Sequence, residues 1–270
     1  MRSIAARTTV AIGVLALACF ATAALLINQK ASSAQEAAAE RELQSLAAAQ
    51  AGAVRSDIER VLVRASALAV AAEAMIGSDQ PQRAQAVELV RRYAEDDPTT
   101  LGYWIEFEAD AFDGRDAAFA RQSFDERNAL GTTDSGRFSI YWVQDDAEGL
   151  YLEDSAGPDN DTDLTGEDYY VAGKAFGDEM MYEPYLYEVG GTEILMTSVM
   201  RAVRADGAIV GVAGADITLQ ALQEKLAQVR PYERGVVRLL SPQGQLMAGP
   251  EVDLFGQTYP AADLPQVLEA

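Results

Sequence analysis

The distribution of apolar and polar positions predicts a helical N-terminal part followed by a mixed α/β part. Residues 10–27 (VAIGVLALACFATAALLI) carry no charge, and about 18 helical residues at about 1.5 Å each nearly cross a hydrocarbon layer of about 30 Å. Arg2 and Arg7 precede the run, which keeps the N-terminus in the cytoplasm and places the residues after the run outside it. We therefore predict an uncleaved transmembrane helix over residues 10–28. A signal peptide ending at the Ala21-Thr22-Ala23 site is the alternative.

A seven-residue repeat comes after this apolar run. Residues 31–76 contain no proline, one glycine and many good helix formers. Their apolar positions recur at a/d spacing in two rows, which are Val54, Val61, Leu68, Met75 and Ile58, Ala65, Ala72. The pattern predicts one long helix that ends at residues 77–79. Its seam is typical of a dimer interface that transmits a signal along the helix, and the alternative is that the seam packs on the protein's own sheet.

The pattern of apolar and polar residues between Pro81 and Leu222 predicts an α+β fold. A helix is expected over residues 84–95, and strands are expected over residues 102–107, 137–144, 194–201 and 209–217. Asp206-Gly207 is a hairpin signal between the last two strands. A loop-rich insertion separates the second and third strands, and a helix is expected from Leu219. This order predicts an antiparallel sheet with helices on one side.

The same patterns divide the chain into five segments. A second, shorter strand–turn–strand pattern begins at residue 236, with its turn at residues 242–244, and we expect it to open a second module that is incomplete here. The predicted segments are a cytoplasmic N-terminus (1–9), a transmembrane helix (10–28), a long periplasmic signalling and dimer helix (29–78), a membrane-distal ligand-binding module (79–222) and the start of a membrane-proximal module (223–270).

Composition excludes several function classes. The chain has 270 residues with 42 acidic and 21 basic side chains, a net charge of −21, which disfavours nucleic acid as a partner. It has no histidine, which removes Ser-His-Asp and Cys-His catalysis and imidazole zinc sites. The one cysteine, Cys19, has no partner for an intramolecular disulfide. We predict no enzyme activity, no metal and no cofactor.

Several short motifs, in this order after the long helix, resemble one known family. They are Gly136-Arg137-Phe138 with Tyr141-Trp142, Asp168-Tyr169-Tyr170, Glu183-Pro184-Tyr185, and Gly207 with Gly211-Val212 and Asp216-Ile217. The chain resembles the double Cache sensory region of bacterial methyl-accepting chemotaxis proteins. The resemblance implies tandem PAS-like modules after a transmembrane helix in the bacterial inner membrane, with the sensory region in the periplasm. It also implies a homodimer through the long helix and a cytoplasmic signalling domain, not present here, that reaches the chemotaxis kinase complex.

The resemblance also implies where a ligand binds. Many family members hold an amino acid with an R-x-W-Y motif for its carboxylate and an aspartate for its ammonium group. Here Glu167 stands in place of the arginine and Tyr169 in place of the tryptophan, whereas Asp216 matches the aspartate. The exchange favours the amine-sensing and quaternary-ammonium-sensing branch of the family.

Physical chemistry points to a cation as well. Carboxylates in a partly dry cleft are costly without an opposite charge, and aromatic faces attract ammonium groups. The predicted contacts to a betaine, choline-like compound or biogenic amine are Asp216, Asp168, Glu167, Tyr169, Tyr170, Trp142, Tyr141, Trp104 and Tyr185. Tyr141 and Trp142 point to opposite faces of their strand, so only one of them should reach the ligand. Arg137 is an internal alternative to a ligand cation.

Other functions stay open at this point. The acids at positions 159, 161 and 163 fit the start of a calcium loop, but Leu164 and Tyr170 break the pattern. An amino-acid sensor on a chemoreceptor, sensor kinase or cyclase is the nearest alternative. A calcium-dependent or partner-binding ectodomain is the more distant one.

Overall fold

The long helix expected from the repeat is present in the computed structural model as α1 (Ile4–Ile76). The structure describes residues 4–78, 81–120, 123–145, 149–153, 164–229, 231 and 235–260. Contacts within the chain separate residues 1–50 from residues 51–267 as two units. The helix ends as predicted, and the amide of Gly77 donates to the carbonyl of Glu73 at 3.1 Å.

The first unit, where it is described, is the N-terminal part of α1. The predicted transmembrane segment, residues 10–28, is helical throughout, but the side chains of residues 10–16 and 18 lie outside the described ones. Side chains that are described further along the run, such as Phe20 and Ile27, are exposed. Within the part of the chain that the structure describes, no helix is both long and apolar enough to cross a membrane.

In the second unit, the seam of α1 packs into the unit's own core. Leu68 and Ala65 are 0% exposed, and Val61 and Ala72 are also buried. They belong to one apolar cluster with residues of the sheet. This part of the seam therefore matches the alternative that the sequence left open, which is packing within the chain.

A seven-stranded antiparallel sheet forms the centre of the second unit. Its strands are β1 (Gly102–Phe107), β2 (Ser139–Asp145), β3 (Gly149–Leu152), β4 (Met180–Met181), β5 (Tyr185–Val189), β6 (Thr192–Ala205) and β7 (Ala208–Thr218). Their order is β3-β2-β1-β7-β6-β4, and β5 also pairs with β6. The four strands predicted from the sequence all form. Asp206 and Gly207 have φ of 48° and 82°, the geometry that a tight hairpin turn between β6 and β7 requires.

Five shorter α-helices accompany the sheet among the residues that the structure describes. They are α2 (Arg83–Glu95), α3 (Asp116–Phe119), α4 (Phe124–Ala129), α5 (Asp168–Phe176) and α6 (Leu219–Leu226). The residues 51–76 of α1, together with α2 and α6, pack on one face of the sheet, where Tyr103, Ile105 and Leu219 are buried.

The opposite face corrects the expectation that helices lie on one side only. α5 packs there against β6 and β7, and Gly173 of α5 lies where a Cβ atom would come within 2.5 Å of the Met200 sulfur. A second apolar cluster, rich in aromatic residues, fills this face. The sequence pattern missed α5 because it is only nine residues long and lies inside the loop-rich insertion.

A polar cluster around the buried Asp97 joins α1 to β1. Asp97 accepts hydrogen bonds from Arg60 and from the hydroxyl of Tyr103, both at 3.0 Å. Arg64 donates to the same tyrosine hydroxyl at 3.1 Å. The cluster fixes the strand that carries Trp104 on its other face.

The C-terminal part contains a short hairpin, β8 (Leu239–Leu240) and β9 (Leu246–Ala248). The turn predicted at residues 242–244 is present, with Gly244 at φ 81° and its amide bonded to the Ser241 carbonyl at 2.9 Å. Residues 261–270 lie outside the described residues.

Candidate ligand-binding site

A small cavity lies on the aromatic face of the sheet. The space between its lining side chains is about 260 Å³ and includes space open to solvent. The residues that line it are Trp104, Glu106, Tyr141, Tyr169, Tyr185, Tyr187 and Asp216. Strands β1, β2, β5 and β7 and helix α5 each contribute to this lining.

Strand alternation selects which side chains reach the cavity. Trp104 and Glu106 are two residues apart on β1 and share a face, whereas Tyr103 lies on the opposite one. Tyr141 of β2 pairs with Trp104 in register and also lines the cavity. Trp142 points to the other side, where its indole N–H donates to the carbonyl of Val87 at 3.0 Å. Only Tyr141 of the Tyr141–Trp142 pair therefore faces this cavity.

A glycine on the neighbouring strand allows the Trp104 ring to lie flat on the sheet. Gly214 of β7 pairs with Trp104, and a Cβ atom there would come within 2.3 Å of an indole carbon. The ring then reaches across β7, and its N–H donates to Asp216 Oδ1 at 3.0 Å. The orientation of the indole is therefore decided by a residue on a different strand.

Further rings surround the cavity. Tyr169 of α5 packs edge-on against Trp104 with the centroids 5.5 Å apart, and it stacks on Tyr185 of β5 at 5.5 Å. Tyr187 meets Tyr169 edge-on at 5.9 Å. Burial raises the pKa of Tyr169 well above its usual value, so its hydroxyl stays neutral. These rings offer electron-rich faces and hydroxyl groups rather than a charge.

Asp216 is the less exposed of the two acidic side chains that line the cavity. It is 3% exposed, and its Oδ1 accepts hydrogen bonds from the hydroxyl of Ser198 at 2.6 Å and from Trp104. Burial raises the pKa of Asp216, and the hydrogen bonds from Ser198 and Trp104, together with the nearby Tyr141 hydroxyl, oppose that rise. The Tyr141 hydroxyl is buried and near enough to affect this carboxyl, but it makes no hydrogen bond of acceptable geometry with any described residue.

Glu106 is a second buried carboxyl on the same cavity. It is 5% exposed, its Oε1 accepts the hydroxyl of Tyr169 at 2.7 Å, and its Oε2 has no hydrogen-bond partner among the described residues. Burial raises its pKa to about 8. The Tyr169 hydrogen bond and the charge of Arg137 oppose that rise, while the charge of Asp216 adds to it. Among the described ion pairs, none includes Glu106 or Asp216.

The structure brings five of the nine predicted ligand contacts to the cavity, namely Asp216, Trp104, Tyr141, Tyr169 and Tyr185. Trp142 lies on the other face of the sheet. Tyr170 is buried, but its hydroxyl donates to Glu108 at 3.0 Å, away from the lining. Glu167 and Asp168 begin α5, where Asp168 is exposed.

Two lining residues, Glu106 and Tyr187, were missed from the sequence. The strand alternation that selected Trp104 also selects Glu106, so the signal was present in the GYWIEF pattern of residues 102–107. Tyr187 gave no such signal because β5 lies in the insertion. The calcium-like acids at positions 159, 161 and 163 lie outside the described residues. Among the residues that are described, no cluster of three or more acidic or cysteine side chains is arranged to hold a metal.

An antiparallel sheet with a long N-terminal helix and a buried aromatic cavity defines a PAS-like, ligand-binding sensory domain. Residues 87–224, a little over half of the chain, match the family described as methyl-accepting chemotaxis protein-like, first PDC sensor domain. The chain belongs to this family, whose members are sensory, ligand-binding domains rather than enzymes. The Cache-type resemblance inferred from the motifs is confirmed at this level.

Individual relatives agree with the family. The chain is 36% identical over 185 residues to methyl-accepting chemotaxis protein TlpQ of Pseudomonas aeruginosa, covering 64% of this chain and 25% of that protein. It therefore spans about a quarter of the length of this curated relative. The solved structure of methyl-accepting chemotaxis protein X is 29% identical with a TM-score of 0.61, and the match covers 79% of this chain and 76% of that one.

A more distant structure shares the fold. The ligand-binding domain of the Pseudomonas aeruginosa amino-acid chemoreceptor PctC, solved in complex with GABA, is 17% identical with a TM-score of 0.57. The match covers 84% of each chain.

Proposed function

We propose that the chain is the extracytoplasmic sensing region of a bacterial chemoreceptor and that its distal module, residues 79–222, binds a small organic cation. The main support for a cationic ligand is that two buried carboxyl side chains, Glu106 and Asp216, line one cavity. A buried carboxylate without an opposite charge is costly, so the site favours a ligand that supplies that charge.

The aromatic walls support the same ligand class. Trp104, Tyr169 and Tyr185 present faces and edges around the cavity, with neighbouring ring centroids 5.5 Å apart. A cation over such a face gains about 0.5–2 kcal/mol, with the larger value in a desolvated site. Several rings together with a carboxylate therefore stabilise an ammonium group of a betaine, choline-like compound or biogenic amine.

An amino acid is the nearest competing ligand, because PctC was solved with GABA. Its carboxylate would need a positive partner. Among the described residues, no lysine or arginine lines the cavity, and Glu167 stands where the family's arginine would be. Arg137 donates instead to the Thr165 hydroxyl at 3.1 Å. These features favour an amine over an amino acid.

The rest of the receptor is part of the proposal. The ligand-binding domain lies on the periplasmic side of the bacterial inner membrane, pairs with a second copy through the long helix, and signals to the cytoplasmic kinase complex through a further domain. The polar cluster around Asp97 joins β1 to α1 and supports a path from the cavity to the helix.

Replacing Asp216 with asparagine tests the proposed function. Asp216→Asn keeps an oxygen that can accept from Trp104 and Ser198 but removes the negative charge. We expect affinity for ethanolamine and choline to fall at least about 30-fold, equivalent to about 2 kcal/mol, because the cation loses a buried partner. Isothermal titration calorimetry of the soluble domain measures this loss.

Asp206→Asn is the matched control, since it removes one negative charge from the exposed hairpin turn and asparagine tolerates its positive φ. It should bind like the wild type. Equal affinities of the wild type and Asp216→Asn for every tested cation would contradict the proposal. Selective binding of GABA or other amino acids would replace it with the competing ligand class.

A further inference from the structure

Glu106 has an unused hydrogen-bonding atom on the cavity. The side chain is buried, its Oε1 is occupied by the Tyr169 hydroxyl, and its Oε2 has no partner among the described residues. The Tyr141 hydroxyl, on the same cavity, is buried and lies close to the Asp216 carboxyl. Buried polar atoms are nearly always hydrogen-bonded, so the unsatisfied Glu106 oxygen points to a ligand that completes it.

The charges around Glu106 explain its state in the empty cavity. The titratable or charged groups that face it are Tyr169 and Tyr170 of α5, Tyr185 and Tyr187 of β5, Asp216 of β7, Arg137 before β2, and Glu167 before α5. Arg137 favours the ionised carboxylate, whereas burial and the two other carboxyls oppose it. Together these effects raise the pKa of Glu106 to about 8, so this carboxyl is mostly protonated at neutral pH in the ligand-free domain.

We propose that Glu106 is a second anchor for the ligand, that it selects cations bearing N–H groups, and that it releases a proton to solvent when such a cation enters. This inference rests on the proposed function and adds to it the chemical class of the ligand. The ammonium stays protonated and enters from solvent. The Glu106 O–H bond breaks, its proton goes to the buffer, and the carboxylate left behind accepts an N–H group of the ligand.

The ionisation of Glu106 also explains why cations bearing N–H groups are preferred. An ammonium with N–H groups neutralises the carboxylate and also donates to an oxygen that is otherwise unsatisfied within the described part of the chain. A quaternary ammonium brings the charge but has no N–H to donate, so the carboxylate oxygen stays unsatisfied. An unsatisfied buried acceptor lowers affinity, and we expect a preference of about 5- to 150-fold for the N–H cation.

Ethanolamine and choline form the test pair, because they differ only by three methyl groups on the nitrogen. Titration calorimetry in buffers with different enthalpies of ionisation counts the protons released on binding. For a free carboxyl with a pKa of about 8, ethanolamine should release about 0.9 proton at pH 7 and about 0.5 proton at pH 8. Ethanolamine should also bind at least about fivefold more tightly than choline.

Glu106→Gln isolates the residue, since glutamine keeps an acceptor for Tyr169 but cannot titrate. The number of protons released with ethanolamine at pH 7 should fall by about 0.9, and the preference over choline should shrink. Glu108→Gln is the matched control, because Glu108 lies just beyond the same strand but bonds Tyr170 and Lys174 outside the cavity. It should leave both quantities unchanged. Should Glu106→Gln fail to fold, the wild-type proton counts compared with those of Asp216→Asn, in which only Glu106 still titrates in the cavity, decide the matter.

Two outcomes overturn the inference, and they can be told apart. If ethanolamine binds the wild type without releasing a proton, or releases the same number from Glu106→Gln, Glu106 is not a titrating anchor and the proposed cation site stands without it. If neither ethanolamine nor choline nor any other tested organic cation binds, the proposed function itself fails, and this inference fails with it.

Discussion

Two carboxyl side chains on neighbouring strands decide the chemistry of the cavity. Glu106 and Asp216 are both buried, and both have a raised pKa because burial disfavours the charged form. A core that contains such groups is less stable than one without them. Their presence is explained if a ligand offsets that cost when it binds.

At the residue scale, stability of the ligand-free domain should fall as the pH rises from about 5 to about 8. The folded state holds the Glu106 proton up to a pKa of about 8, whereas the unfolded chain releases it near 4.5. The unfolded state therefore binds fewer protons in this window, and the free energy of unfolding decreases with pH until it levels off above about 8. The chain has no histidine to titrate in the same range.

Melting temperatures measured across this pH range provide the check. Glu106→Gln should make the decrease smaller and leave only the part that the raised pKa of Asp216 contributes, whereas Glu108→Gln should keep the whole decrease. Carboxyls whose pKa is lowered, such as Asp97 and Asp113, lose their contribution only below their usual value of 3.8, which lies outside the window. A wild-type curve that stays level from pH 5 to pH 8 would show that Glu106 is ionised in the empty cavity.

At the scale of elements, α1 behaves differently along its length. The seven-residue repeat is continuous from Val54 to Met75, yet in the second unit its apolar side chains pack against the sheet of the same chain. The periodicity identified the buried face of the helix, but it did not identify the partner. A helix seam and a sheet bury the same kind of apolar surface, so spacing alone does not distinguish them.

Substitution of Leu68 distinguishes packing of the seam within one chain from packing between two copies of the chain. Leu68 is 0% exposed, so Leu68→Ala should lower the free energy of unfolding by about 2–5 kcal/mol through lost burial and a residual cavity. Val63→Ala on the same helix is the control, because Val63 is 64% exposed and should change the free energy by less than about 0.5 kcal/mol. Urea unfolding measures both values. A loss at Leu68 that depends on protein concentration would assign the seam to a dimer instead.

At the scale of the whole molecule, the net charge of −21 produces a field that attracts cations. Raising the ionic strength from about 0.01 M to about 1 M shortens the Debye length from about 30 Å to about 3 Å. The association rate constant of ethanolamine should therefore fall about three- to tenfold, while its dissociation rate constant changes little. Stopped-flow tryptophan fluorescence, with Trp104 as the reporter, measures both rates. An association rate that is independent of salt would mean that the surface charge serves solubility alone.

Much of the fold was predictable because it depends on local patterns. Strand β1 has the predicted bounds, and the hairpin at Asp206-Gly207 forms because only a few residue types tolerate positive φ there. Helix α5 was not predictable in the same way, since nine residues in an insertion carry too short a pattern. It is nevertheless the element that brings Tyr169 to Glu106.

The candidate site was predictable only in part for a related reason. Asp216, Trp104 and Tyr141 were selected because motif and alternation both point to them. Glu106 was missed because an acid in an alternating strand is usually exposed to solvent, whereas here tyrosine side chains from α5 and β5 surround it. Asp168 was selected for its place in a motif, but it lies in the first helical turn, where carboxylates are stabilised by the helix dipole.

The sequence by itself determined the long helix, four strands of the sheet, the Asp206-Gly207 hairpin and the family, because these depend on residue order and spacing. The tertiary structure alone decided which acids share one cavity. Glu106 and Asp216 are 110 residues apart in the chain and meet only because β1 pairs with β7. Their burial, and with it the rise in their pKa, exists only once α5 and β5 exclude water from that face.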